Sequence, residues 1–183
     1  MNILALDLSS KSSGWATEID EKLEYGCITS SSTDKCKRII TMREGIIELI
    51  KKYNITKVIM EEVRPESYNK DEEELYSHLR NPQTAKTLYW LQGVIVLAIY
   101  EYNKKIEIDF IQPNSWRSKI GIKTGAGVKR DVLKQKDIEY VKNNFNLIVN
   151  DDEADAIGIL QSQLHPIEKK EKDLSAFEGF DFK

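Results

Sequence analysis

MNILALDLSSKSSGW, residues 1–15, is the stretch around which the rest of the chain is organised. Ile3, Leu4, Ala5 and Leu6 form a short apolar run suited to a strand buried on both faces. The run ends on Asp7, and small or polar residues follow as far as Gly14. A carboxylate at the end of a buried strand is costly unless it is paired or holds a cation. It also suits a simple turn or capping aspartate. Further carboxylates converging on it from elsewhere decide between the two readings.

The 183 residues are enough for one domain with a full hydrophobic core. An apolar share of 40% beside 31% charged residues is that of a globular protein. The longest apolar segment, around Val94 to Ile99, is far too short to span a bilayer. No basic-then-apolar signal peptide opens the chain, so a reducing cytoplasm is the expected compartment. Cys27 and Cys36 are the only cysteines and His78 and His165 the only histidines, which excludes a disulfide framework and a zinc-type ligand set. The net charge of −3 by itself argues against a nucleic-acid partner. Phosphates, however, respond to charge within about a Debye length, roughly 8–10 Å, so local distribution outweighs the sum.

GWATEID and KLEYGCITS read as two strands joined by a tight turn at Asp20 and Glu21, giving an antiparallel meander with the first strand. Thr33 or Asp34 caps a helix running to about Tyr53, with Ile39, Met42, Ile46, Ile47, Leu49 and Ile50 at helical spacing. TKVIMEEV is a second buried strand, and it too ends in carboxylates, Glu61 and Glu62. A right-handed crossover places it parallel to the first. Residues 64–80 are polar and charged, a loop or mobile flap. A long helix then begins at Asn81-Pro82, so apolar around its circumference that it must be sandwiched within the chain or against another subunit. IEIDFIQ is a further strand, and PNSWRSKIG reads as a loop and turn.

From Ser115 to Lys136 seven cations, among them Arg117, Lys119, Lys123, Lys129 and Arg130, face only Asp131. GIKTGAG lies inside this stretch, a glycine-rich turn able to approach a phosphate closely. The helix after it is expected to turn Val132, Ile138, Val141 and Phe145 inward. In the last helix, DDEADAIGILQSQL, Asp152 and Asp155 stand one turn apart on one face, a face Asp151 can share. The domain is expected to end near residue 165. Residues 166–183 read as a flexible tail, or as a docking peptide for a protein partner.

Asp7 and Glu61 (or Glu62) both end strands, and ligands of open α/β sheets gather at that edge. A helix carrying Asp152 and Asp155 across the edge would complete a cluster of four. Like charges so close raise one another's pKa unless a divalent cation neutralises them. Oxygen ligands select hard ions, Mg²⁺ first and Mn²⁺ next. Two such ions are the usual means of phosphodiester hydrolysis.

DLSSKSSGWA resembles the first motif of RuvC-like Holliday junction resolvases, and IMEEV their second, which points to Glu61 over Glu62. RNPQTAKTLYWLQGV is similar to their long central helix, including Gly93. SWRSKIG with GVKRD resembles their basic region, and DDEADAIGI their closing Asp-x-x-Asp-Ala motif, which selects Asp152 and Asp155. The likeness runs through about residue 164, with the motifs in the family's order and near its distances. It implies an α/β ribonuclease H-like fold with a mixed five-stranded sheet, and a Mg²⁺-dependent endonuclease. It also implies a homodimer that nicks two opposed strands of a four-way DNA junction symmetrically, leaving 5′-phosphates. In this reading Asp7, Glu61, Asp152 and Asp155 hold metal, and Lys129 neutralises the scissile phosphate. Arg117 and Lys119 hold the DNA backbone, with Lys123, Arg130 and Tyr68 as further DNA contacts. The segment between Glu61 and Asn81 is longer than in the bacterial enzymes, and the family's stacking aromatic is replaced around Arg64-Pro65; Tyr68 or Tyr76 would have to stand in. These departures resemble the phage-encoded branch, of lactococcal-phage type. Other readings are a broader flap or branch nuclease on the same fold, a junction-binding protein without catalysis, and an actin-like phosphate loop, for which the chain is too short.

Overall fold

A computed structural model describes residues 1–63, 82–125 and 128–167. At its centre is β1 (Ile3–Asp7), whose side chains alternate between two apolar layers. Ile3 and Ala5 face one layer, and Leu4 and Leu6 the other. β2 (Ser12–Ile19) runs antiparallel to β1, and β3 (Lys22–Thr29) antiparallel to β2. Asp20 and Glu21, with φ of 49° and 63°, make the left-handed two-residue turn that matches the twist of a hairpin. β4 (Lys57–Glu61) and β5 (Glu107–Ile111) add in parallel, giving the order β3-β2-β1-β4-β5. The mixed five-stranded sheet flanked by helices is the expected ribonuclease H-like architecture.

α1 (Lys35–Lys52) starts where Asp34 accepts hydrogen bonds from the backbone N–H groups of Cys36 and Lys37, at 2.8 and 3.3 Å. Its Ile39, Met42, Ile46 and Ile50 pack with Leu91, Ile95 and Ile99 of α2 (Pro82–Tyr102) over Leu4, Leu6 and Met60. The opposite face of the sheet carries α3 (Pro113–Lys119), α4 (Arg130–Phe145) and α5 (Asp151–Leu164). Asn150 and Glu153 close a reciprocal capping box at the start of α5. The helix is then buried nearly all round, from Ala154 to Ser162.

Two expectations change. PNSWRSKIG contains a helix, because Pro113 is preset for a first helical turn and Trp116 is drawn completely out of water. Val132 is 46% exposed, since the inner face of α4 is turned toward Asp137 and Val141. Among the described residues, α2 is covered on one side, which leaves the expected contact with another subunit open. Trp90, Leu97 and Tyr100 stand exposed along it, although Leu91, Ile95 and Ile99 are buried. Tyr68, Tyr76 and the tail from residue 168 lie outside the described residues.

Small residues decide how close α5 comes. Gly14 faces Asp7 across the β1–β2 ladder, and a Cβ there would overlap the backbone carbonyl of Asp152. Farther along α5, a Cβ on Gly158 would stand 2.5 Å from the Trp116 ring. The helix start is thus pressed onto the sheet beside the end of β1. Gly14→Ala is expected to lower stability by about 1–3 kcal/mol through overpacking, read by urea unfolding. An unchanged midpoint would contradict this close approach.

Candidate active site

The pairing of Leu6 with Met60 brings β1 and β4 to the same edge in register. The residues that follow, Asp7 and Glu61, leave the sheet side by side. Asp152, in the first turn of α5, reaches the same place through the contact at Gly14. All three line a cleft of about 770 Å³, together with Glu62 and the Leu8–Lys11 loop. Thr84, Thr87 and Leu88 of α2 contribute to the same lining.

Electrostatics shows that these carboxylates act on one another. The pKa of Asp7 is raised to about 7, first by burial, then by the charges of Glu61 and Asp152, against the opposing pull of Lys134 and Arg130. Glu61 is oriented by Trp116, whose indole N–H donates to its Oε2 at 3.0 Å. Lys134 donates to Asp151 and holds that carboxyl below the usual range.

Asp155 belongs to a second, buried layer. Arg117 donates to Asp137 through Nε and Nη, at 2.7 to 3.1 Å, and reaches Asp155 Oδ1 at 3.4 Å. Its guanidinium also stacks 4.2 Å from the centre of the Trp116 ring. Asp137 is 1% exposed and Asp155 7%, so one guanidinium serves two desolvated carboxyls. The pKa of Asp155 rises to about 9, through burial first, then the charge of Asp7 and the hydrogen bond and charge of Asp137.

The expected cluster of four therefore divides into Asp7, Glu61 and Asp152 in the cleft and Asp155 beneath it. Among the described residues, no three Asp, Glu, His or Cys side chains form a ready ligand cage. Arg117, expected on the DNA backbone, is instead buried and ion-paired, because Asp137 supplies an internal partner that the charge count had passed over. Lys129 sits exposed as the residue capping α4, outside the cleft lining, whereas Arg130 and Lys134 line it. Lys119 and Lys123 are exposed but also outside it. Sequence reasoning did not single out Trp116 and Asp137. The one available signal was an aspartate at the centre of a helix face expected to be apolar.

Once this geometry is in view, the relatives are informative. Crossover junction endodeoxyribonuclease RuvC of Legionella pneumophila subsp. pneumophila is 26% identical over 169 residues, covering 89% of this chain and 86% of that protein. Thermus thermophilus RuvC in complex with Holliday junction substrate superposes with a TM-score of 0.65 at 14% identity, over 90% of this chain and 92% of that one. A second Thermus thermophilus RuvC structure gives 0.62, also at 14% identity, over 90% and 93%. No protein-family model matches the chain. The structural likeness establishes the fold.

The raised pKa values set a sign for pH dependence. The folded protein holds protons on Asp7 and Asp155 above pH 3.8, where the unfolded chain has released them. Stability from these groups is therefore greatest below about pH 4 and is lost as pH rises through about 7 for Asp7. The metal-free protein is expected to melt several degrees lower at pH 8 than at pH 5, and Asp7→Asn to reduce that difference. Thermal melts whose midpoints rise with pH, or an unchanged slope in the variant, would contradict the charge assignment.

Proposed function

We propose that this chain is a divalent-metal-dependent DNA endonuclease that resolves four-way junctions as a homodimer, each protomer nicking one of two opposed strands. The observation that carries the reading is the convergence of Asp7, Glu61 and Asp152 on one cleft that also holds Arg130 and Lys134. The curated relative and the likeness to a RuvC bound to junction DNA support the same activity and substrate. The longer segment between Glu61 and Asn81 supports a phage-encoded origin, hence work in the cytoplasm of a bacterial host.

The donor set suits a hard cation: it is all oxygen, and its mutual repulsion shows in the raised pKa of Asp7. Asp7, Glu61 and Asp152 would hold Mg²⁺ or Mn²⁺, with Asp155 completing the set. When bound, such ions activate a water for in-line attack and stabilise the departing 3′ oxygen. The chain itself does the positioning. Trp116 fixes the Glu61 carboxylate, and Arg117 fixes Asp155. Arg130 and Lys134 bring positive charge beside Asp7, where a scissile phosphate needs it. Lys129, at the head of the same helix, is left to the DNA backbone at the rim. Two nicks need two sites, and α2 offers the means of pairing. Trp90, Gly93, Leu97 and Tyr100 form one exposed stripe at helical spacing, with open space around Gly93.

With Mg²⁺, the wild type is expected to place paired symmetric nicks in a synthetic immobile junction, much faster than in a Y-fork or plain duplex, and EDTA to stop it. Asp7→Asn and Glu61→Gln should bind the junction yet cut it roughly 10²–10³-fold more slowly. Unchanged cleavage in either variant defeats the assignment, and equal cutting of all three DNAs favours a general branch nuclease. Leu97→Glu is expected to convert a dimer of twice the 21.1 kDa chain mass to monomer in light scattering. A persistent dimer would place the interface elsewhere.

A further inference from the structure

The cleft has a second cationic wall, on the other face of the sheet from Arg130 and Lys134. It is made by Lys11, in the loop after β1, and by Lys35 and Arg38, in the first turn of α1. α1 belongs to the apolar layer of Leu4 and Leu6, whereas α4 packs with α5 on the layer of Ile3 and Ala5. The carboxylates at the ends of β1 and β4 thus lie between cations from both faces.

This wall is built rather than a chance meeting of surface lysines. Arg38 is 8% exposed, and its Nη1 donates to the carbonyls of Ser32 and Thr33 at 3.0 and 3.1 Å. Its Nε donates to Ser10 Oγ at 3.4 Å, tying the Lys11 loop to the segment leading into Lys35. The backbone N–H of Ser30 donates to the Lys11 carbonyl at 2.9 Å, and Ser13 Oγ donates to the Ser9 carbonyl at 2.6 Å. Both lysine-bearing segments are therefore held in place, and both lysine side chains are left exposed on the lining. Asp34 caps the helix end, so charge here comes from side chains rather than from free backbone N–H groups.

We propose that Lys11 and Lys35, braced by Arg38, form a second phosphate-holding subsite for the nucleic-acid strand that crosses the carboxylates. The strand then passes from one face of the sheet to the other, gripped by Arg130 and Lys134 on one side of the cut and by Lys11 and Lys35 on the other. This rests on the junction-nuclease reading and extends it to residues outside the basic stretch at 115–136.

The test uses a fluorescently labelled immobile junction with EDTA, where binding is read without cleavage. Lys11→Gln/Lys35→Gln is compared with Lys51→Gln/Lys52→Gln, which removes the same charge at the far end of α1, about 24 Å away at 1.5 Å per residue. The first pair is expected to weaken binding about tenfold near 100 mM salt and to reduce the slope of log Kd against log salt by about 1.5–2. The control pair should stay within about twofold of wild type. Equal losses in both pairs, or no loss in the first, would overturn the subsite. A wild type that neither binds nor nicks the junction would instead bring down the nuclease reading, so the two failures are distinguishable.

Discussion

The close packing of a helix start against a strand end governs this molecule. Asp152 reaches the end of β1 because its own backbone carbonyl occupies the space where Gly14 has no side chain. Without that approach, Asp7 and Glu61 would still leave the sheet together, set by the pairing of β1 with β4. They would then be two carboxylates at an edge, with water to screen them. Burial under the packed helix, then the charges of Glu61 and Asp152, push the pKa of Asp7 from its ordinary 3.8 up to about 7.

Beneath the cleft lies a buried layer that holds the acids in place. Trp116 fills the gap that Gly158 leaves, points its indole N–H at Glu61, and lies under the guanidinium of Arg117. Arg117 in turn binds Asp137 of α4 and Asp155 of α5. One aromatic ring and one cation thereby join α3, α4, α5 and β4. The arrangement is poor value as stability alone, because buried ions seldom repay their desolvation. Its worth lies in holding carboxylates that repel one another at fixed positions.

Much of this was legible in the amino-acid order. The apolar run Ile3–Leu6, the turn residues Asp20 and Glu21, and the helical spacing of Ile39 to Ile50 are local signals, and each produced the element expected of it. Two strands ending in acids announced the edge where Asp7 and Glu61 meet. What escaped was set by contacts distant along the chain. Nothing near Trp116 says that its ring will be buried under α5, so a helix there passed for a turn. Arg117 looked like one cation among seven until Asp137 folded against it, twenty positions away. Val132 stands on a different face of α4 from the buried Asp137 and Val141, and it stays exposed.

The two apolar layers bear on how such a chain can drift in evolution. Each is sealed from the other by the sheet, and each carries its own helices. Repacking beneath α1 or α2 can proceed while Trp116, Arg117 and α5 stay as they are, because the two populations of side chains do not touch across β1. Substitutions under α5 have less freedom, for there Trp116 and Arg117 also hold Glu61, Asp137 and Asp155. Divergence should therefore accumulate unevenly, with one hydrophobic compartment roaming and its counterpart pinned.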